Sequence, residues 1–347
     1  MRYLGNKESL TDEIVTLLRK ENLLNINDRK VFFDAFCGTG TVSNSIKNYC
    51  DIILNDNLKL ATTFSKGRII NQNCYFSQLG FNPIDYFNNN IETRIGFFSQ
   101  NYAPKLSGRM YFNDYNAGRI DYFRSQIEEW KNNKLINDDE YCYLLGCLLE
   151  SVSKVANIAG VYGSYLKQWD PRAVKEIKFL PIESTISENN PNVIETYNEN
   201  LTDIIANVEC DILYLDPPYT KNKYSVQYHL LETLIRNDNP EVNGVTGGRR
   251  FNDVSDNWSK PYYVEVEFEK AIRMTKAKHI VMSYSSDGIM SKEFILNIFK
   301  RYGYEDSIKL IEIPYKKYRN FKTFSADAHF EYIFYVKKKP LENVEYY

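Results

Sequence analysis

The run Cys210-Asp-Ile-Leu-Tyr-Leu-Asp-Pro-Pro-Tyr-Thr220 constrains this chain more than any other stretch. Its apolar half, bounded by turn residues, reads as a buried strand. Asp216-Pro217-Pro218-Tyr219 follows at the carboxyl end, where open α/β sheets take their ligands. Two prolines cannot donate to a ladder, so the chain leaves the sheet there. It presents a carboxylate, a rigid turn whose carbonyls face outward, and an aromatic face. Those parts hold a planar base by its amino edge and by stacking. The competing reading is a strand followed by an ordinary Pro-Pro turn.

A second stretch, Lys30-Val-Phe-Phe-Asp-Ala-Phe-Cys-Gly-Thr-Gly-Thr-Val-Ser43, is a β-type run ending in a glycine loop, with a helix expected through Ser45 and Lys47. Gly38 and Gly40 permit a tight turn and close backbone approach to a ligand. A further strand, Asp51-Ile-Ile-Leu-Asn-Asp56, delivers an acid sixteen positions after Gly40, suited to both hydroxyls of a ribose. A phosphate-binding P-loop is disfavoured because no Gly-Lys-Ser/Thr follows. A dinucleotide site, and with it a nicotinamide oxidoreductase, is disfavoured by Ser43 at the place of the third glycine. A nucleoside ligand without a pyrophosphate fits better, and S-adenosylmethionine is the common one.

At 347 residues the chain sits at the upper limit for one core, so one large domain with an insertion, or two domains, is expected. A formal charge of -2 and a pI near 6.1 exclude a protein that coats nucleic acid non-specifically and leave room for a local basic cleft. No run approaches the roughly 18 apolar residues of a membrane span, and the polar N-terminus does not resemble a secretory signal, so an intracellular location is expected. Cysteines at 37, 50, 74, 142, 147 and 210 form no C-x-x-C pair and read as reduced, mostly buried thiols. No metal site is expected. His229, in a helical pattern beside Leu230 and Leu231, reads as structural rather than as a general base.

Elsewhere, Ser9 and Asp12 are placed to form a capping box before Ile14, Val15 and Leu18. Between Ser65 and Pro191 the strand-helix alternation breaks down. A buried helix is expected from Asp139 to Ala156, with Cys142, Leu145, Leu148, Leu149 and Val152 on one side. The loop Asn157–Lys167 after it carries Tyr162, Tyr165 and Lys167, which suit a grip on nucleic acid and equally a surface loop with buried tyrosines. Strands are expected at 193–197, 280–282, 310–313 and 332–336, with a helix from near Ser291 to Tyr302-Gly303.

Together, Asp34-Ala-Phe-Cys-Gly-Thr-Gly40, Asp56 and Asp216-Pro-Pro-Tyr219, preceded by Arg2-Tyr3 and Lys7, closely resemble the Dam-like (alpha-group) adenine-specific DNA methyltransferases. Tyr224, Tyr228-His-Leu-Leu-Glu-Thr233 and Asp238-Asn-Pro-Glu-Val-Asn-Gly244 also look like family sequence. The resemblance implies an α/β, Rossmann-like S-adenosylmethionine-dependent methyltransferase fold. Its mostly parallel seven-stranded sheet would carry one antiparallel strand, for which the last apolar run is the candidate. It also implies a cofactor part over 1–64, an inserted, largely helical target-recognition domain over 65–191, and a catalytic part over 192–347.

The implied activity is methyl transfer from S-adenosylmethionine to N6 of an adenine flipped from double-stranded DNA. The implied setting is a restriction-modification system: a monomer in the bacterial cytoplasm at the nucleoid, with any cognate endonuclease acting separately. By position, Tyr3 and Lys7 would hold the methionine part of the cofactor, Phe36, Gly38 and Gly40 would cradle it, and Asp56 would bind its ribose. Asp34 would position the glycine loop from behind. Asp216 and the Pro217 carbonyl, in the catalytic tetrapeptide with Pro218, would accept the amino hydrogens while Tyr219 stacks on the base.

Asn200 stands where relatives place an acid near the target base. Lys221, Lys223, Arg236, Arg249, Arg250 and the run Tyr315-Lys-Lys-Tyr-Arg319 are candidates for phosphate contacts, with a solvated face as the rival account. The alternatives are same-fold enzymes acting on cytosine's amino group, RNA or a protein amide, and a non-catalytic DNA-binding relative. Asp216 favours adenine, since cytosine-amino enzymes more often show Ser there and amide enzymes Asn.

Overall fold

The computed structural model describes residues 3, 7–187, 189, 191–221, 223–252, 254–315 and 329–340. Arg2 and residues 316–319 of the basic run lie outside the described residues. Seven strands form one sheet: β1 Lys30–Asp34, β2 Cys50–Asn55, β3 Val193–Tyr197, β4 Ile212–Leu215, β5 His279–Ser285, β6 Lys309–Tyr315 and β7 His329–Lys337. Their spatial order is β3-β2-β1-β4-β5-β7-β6. Neighbours pair in parallel except β7, which runs antiparallel to both β5 and β6. The antiparallel strand is the last apolar run, the candidate for the one antiparallel strand that the family resemblance implied.

Successive side chains of a strand face opposite sides, and a parallel sheet covered on both faces needs strands that are apolar both ways. Phe32 and Ile52 enter one core with Leu17, Ile46 and Leu148, whereas Phe33, Ile53 and Leu213 enter the other with Phe268 and Phe299. The helices that supply these layers are α1 Thr11–Lys20, α2 Thr41–Ile46, α3 Lys59–Ile70, α4 Asp114–Asn132, α5 Asp138–Val155, α6 His229–Arg236, α7 Tyr263–Met274 and α8 Lys292–Tyr302. Ser291 caps α8, its hydroxyl oxygen accepting from the Phe294 N–H at 3.1 Å.

The capping box expected from Ser9 and Asp12 does not form. A 3-10 turn over Glu8–Leu10 leads into α1 instead, because the Lys7 carbonyl, fixed by the burial of its own side chain, accepts from the Leu10 N–H and the Thr11 hydroxyl, both at 2.9 Å. All six cysteines are unpaired thiols, with Cys37, Cys50 and Cys147 buried. No described helix is long and apolar enough to cross a membrane.

Among the described residues no strand lies between β2 and β3. The expected boundary at residue 64 falls inside α3. α5 lies so close against that helix that a Cβ on Gly67 would stand 2.9 Å from the Cys142 carbonyl oxygen. Phe123, Leu148 and Phe179 share one core with Phe32 and Ile52. The helical segment therefore extends the core of the sheet rather than enclosing one of its own.

α6 is locked to α3 by Glu232. This fully buried carboxylate accepts from the Lys59 and Leu60 N–H groups at 3.0 and 2.8 Å, in the otherwise unsatisfied first turn of α3, and pairs with Arg236 at 2.5 Å. Glu232→Ala leaves one buried and one part-buried donor and one guanidinium without their acceptor. The expected loss is about 2–4 kcal/mol, read as a lower urea midpoint at unchanged slope. An unmoved midpoint would show that water replaces the carboxylate.

Candidate active site

β1 pairs with β2 on one side and β4 on the other, with Asp34 opposite both Leu54 and Tyr214. The segments leaving these three strands therefore emerge side by side. The strand order reverses between β1 and β4, which opens a crevice at their carboxyl ends. The glycine loop lies in it, closed by a Cys37 N–H bond to the Asn55 carbonyl at 2.9 Å. Gly40 precedes α2 with φ +65°, and a Cβ there would stand 2.8 Å from that of Ser65. Any other residue would be strained twice, by conformation and by contact. The Ser65 hydroxyl and the Arg68 guanidinium, both on α3, donate to the Gly38 and Thr39 carbonyls at 3.0 and 3.2 Å. These two clamps were not visible in the sequence, where Ser65 and Arg68 are unremarkable.

Asp56 follows β2. One of its oxygens accepts from the Gly38 N–H at 3.1 Å and the other from the Leu58 N–H at 3.0 Å, so the acid joins the glycine loop to the start of α3. Burial raises its pKa to about 6 against the lowering effect of those two bonds. Behind the loop, Asp34 accepts from the Ser43 hydroxyl on α2 at 2.6 Å, while its buried Oδ1 has no partner. Burial is again the main cause of a raised pKa, here to about 7, with Ser43 opposing and the charges of Asp216 and Asp56 adding. Ser43, which spoils the dinucleotide pattern, is thus the residue that anchors Asp34.

Asp216 emerges from β4 beside Lys7. The buried ammonium lies 3.1 Å from Asp216 Oδ1, 4.0 Å from Glu331 Oε2 on β7, and 4.9 Å from the centre of the Tyr219 ring. Burial works against the ammonium, but Asp216, with Tyr219 and Glu331, outweighs it and takes Lys7 to about 12. Burial raises Asp216 as well, opposed first by Lys7 and then by the Ser283 hydroxyl of β5. Tyr219 meets Tyr284 edge to face at 6.2 Å. Tyr3 stacks on Tyr228 at 4.6 Å and stands 3.2 Å from where a Gly38 Cβ would lie.

One pocket collects these groups: Tyr3, Lys7, Asp34, Phe36, Gly38, Asp56 and Asp216 to Tyr219 all line it. Part of its remaining wall comes from residues that sequence reasoning did not reach, Val254, Ser255, Asp256, Trp258 and Ser259. Trp258 meets Phe36 edge to face at 4.9 Å, and its buried indole N–H has no partner. A lone tryptophan in the polar run Ser255-Asp-Asn-Trp-Ser-Lys260 was the available signal. Among the described residues no group of three His, Cys, Asp or Glu is arranged to hold a metal ion.

The profile of the D12 class N6 adenine-specific DNA methyltransferases matches residues 3–298, from Tyr3 in this pocket through Asp216-Pro-Pro-Tyr219 and beyond. The chain belongs to that family. It is 38% identical over 346 residues to the Type II methyltransferase M.FokI of Planomicrobium okeanokoites, which covers 97% of this chain and 53% of that protein. It is 32% identical over 348 residues to the modification methylase StsI of Streptococcus sanguinis, covering 98% and 52%. With the Type II methyltransferase M.NlaIII of Neisseria lactamica it shares 35% identity over 344 residues, covering 97% and 99%. This D12-class chain thus spans about half the length of M.FokI and StsI and nearly all of M.NlaIII.

Several residues assigned to DNA contact lie elsewhere in this D12-class chain. Tyr162 is fully buried, its hydroxyl bonded to Ser153 at 3.2 Å and its carbonyl to His229 Nε2 at 3.1 Å, so it is a core residue. Burial lowers His229 to about 4, in keeping with a neutral, structural imidazole. Arg249 is spent on Asp238, through bonds of 2.8 and 2.6 Å, and its side chain is 7% exposed. Arg236 pairs with Glu232. Asn200 does not line the pocket and donates to Thr202 at 2.7 Å. Tyr165 is half-buried against Tyr111, whereas Lys167, Lys221 and Arg250 are exposed. Lys223 lies at the pocket, where it shares Asp256 with Lys260 at 2.5 and 2.6 Å.

Asp34 yields a pH prediction. Its folded-state pKa of about 7 lies above the free value of 3.8, so the folded state holds the proton more tightly. Its contribution to stability is full below about pH 4 and is lost as the pH rises through about 7. Asp34→Asn removes that titration while keeping an acceptor for Ser43. The melting temperature of the variant relative to wild type should therefore climb between pH 4 and 7. A difference that stays constant across that range would rule out the proposed protonation.

Proposed function

We propose that this chain transfers a methyl group from S-adenosylmethionine to N6 of an adenine rotated out of double-stranded DNA. The observation that carries this reading is the meeting, in one pocket, of Asp216 and Tyr219 after a buried strand with the glycine loop and Asp56. The residues fit the cofactor. Asp56 offers acceptors to a ribose, Phe36, Leu58 and Trp258 give apolar walls, and the unpartnered Trp258 N–H supplies a donor. When bound, S-adenosylmethionine supplies a methyl group activated by its sulfonium charge.

An aromatic amine is a poor nucleophile because its lone pair is delocalised into the ring, so the work of the chain is placement and charge. Asp216 and the Pro217 carbonyl accept the two amino hydrogens and draw the nitrogen toward tetrahedral geometry. Tyr219 stacks on the extruded base and is braced by Tyr284. Pro218 stiffens the turn that fixes these groups. Positive charge develops on the nitrogen beside a buried carboxylate, where it is worth more than in water.

Residues 65–191 are assigned to target recognition, with Tyr165 and Lys167 as contacts. Lys221, Lys223 and Arg250 are assigned to phosphates. We place the protein in the bacterial cytoplasm at the nucleoid, as a monomeric modification enzyme whose cognate endonuclease acts separately; the names of its relatives as type II methyltransferases and modification methylases support that setting.

Two outcomes test the proposal. Asp216→Ala should bind S-adenosylmethionine within a few fold of wild type by calorimetry, while methyl transfer falls about a hundredfold or more. Mapping modified bases in DNA from expressing cells should show N6-methyladenine at one sequence context; modified cytosine, or a variant of near wild-type rate, would overturn the assignment. For the footprint, Lys221→Ala with Arg250→Ala should lower the slope of log affinity against log salt by about one unit per lost contact. An unchanged slope would remove both residues from the interface.

A further inference from the structure

The antiparallel course of β7 starts that strand at the carboxyl ends of β4 and β5, which puts Glu331 opposite Ser285 and within reach of the catalytic tetrapeptide. Its side chain is 14% exposed, and its buried Oε2 has no hydrogen-bond partner. A buried carboxylate oxygen left unsatisfied calls for a reason. The nearest cation is the Lys7 ammonium, 4.0 Å away and beyond hydrogen-bond distance, because it sits 3.1 Å from Asp216 Oδ1 instead. Lys7 thus stands between two carboxylates and pairs closely with only one, although Asp216 Oδ1, like Glu331 Oε2, makes no regular hydrogen bond.

That asymmetry conflicts with the reaction proposed above, on which this inference rests. A carboxylate neutralised by an ammonium has little charge to offer the cation that forms on the adenine nitrogen, and the ammonium itself repels that cation. The amino group also needs the Asp216 oxygen that Lys7 faces. We propose that Glu331 is a positioning residue for methyl transfer. It receives the Lys7 ammonium when the target amino group takes the ammonium's place at Asp216, so that the full charge of Asp216 faces the reacting nitrogen. The exchange breaks one ion pair and forms another inside the same buried cluster, and no proton or covalent bond changes hands in it. Lys7 has the means to move, a flexible four-carbon stem with rotatable donors.

The test uses the full chain, tritiated-methyl S-adenosylmethionine and genomic DNA from a strain lacking adenine methylation. Glu331→Gln keeps the shape and removes the charge. It should lower the single-turnover methylation rate about tenfold while cofactor affinity stays within about twofold. Glu331→Asp should recover part of the rate. In a Lys7→Gln background, where there is no ammonium to receive, adding Glu331→Gln should change the remaining rate by less than about twofold. A merely structural Glu331 would cost as much with Lys7 absent as present, and that result overturns the inference; so does a wild-type rate in Glu331→Gln. If Glu331→Gln does not fold, Glu331→Asp in the two backgrounds decides by the same comparison. Wild type failing to methylate adenine defeats the proposed function itself, whereas a methylating wild type with an indifferent Glu331 defeats only this step.

Discussion

The parallel pairing of β1 with β4 is the constraint on which the rest of the structure depends. Val31 and Asp211 lie 180 positions apart, yet the Val31 N–H donates to the Asp211 carboxylate and the Asp211 N–H returns a bond to the Val31 carbonyl, both at 3.0 Å. That register sets Asp34 beside Tyr214 and lets the glycine loop and Asp216-Pro-Pro-Tyr219 leave the sheet at one place. Because strand side chains alternate faces, a slip of one residue would turn Phe33 and Leu213 into the wrong core. The two hydrophobic layers therefore protect the geometry of the site.

The site gathers more negative charge than a stable interior would choose. Asp34, Asp56, Asp216 and Glu331 are all raised by burial, and Lys7 is a buried cation set between Asp216 and Glu331. Three of these four carboxylates are given different compensations, and Glu331 Oε2 has no hydrogen-bond partner. Asp56 takes two backbone N–H groups, Asp34 a serine hydroxyl, and Asp216 an ammonium. The first two compensations are fixed by the loop they hold together. The ion pair is the one that the proposed exchange would use, and it sits at Asp216, the group proposed to face the target amino group.

The helical segment between β2 and β3 shares the core of the sheet, and α3 crosses from one part to the other. Ser65 and Arg68 on that helix clamp the glycine loop, and Glu232 on α6 caps its first turn. This helix is tied at once to the glycine loop, to the helical segment and to the chain after the tetrapeptide.

The sequence by itself marked seven short β-type runs bounded by turn residues, whereas the antiparallel role of the last was implied by the family resemblance and not by the run. With the family resemblance it also singled out Tyr3, Lys7, Asp34, Phe36, Gly38, Asp56 and Asp216 to Tyr219, which line one pocket that Gly40 does not reach, because a glycine loop, an acid after a strand and a Pro-Pro turn carry their chemistry in local spacing. Only the tertiary structure decided which polar residues are already occupied. Tyr162 and Arg249 have the composition of DNA contacts but are spent on Ser153 and Asp238, partners that no local pattern announces. Glu232, Trp258 and Glu331 reach their places through pairings that join segments far apart in the chain. Periodicity reports what a residue does within its own element, whereas an ion pair or a cap depends on which other element the fold sets against it.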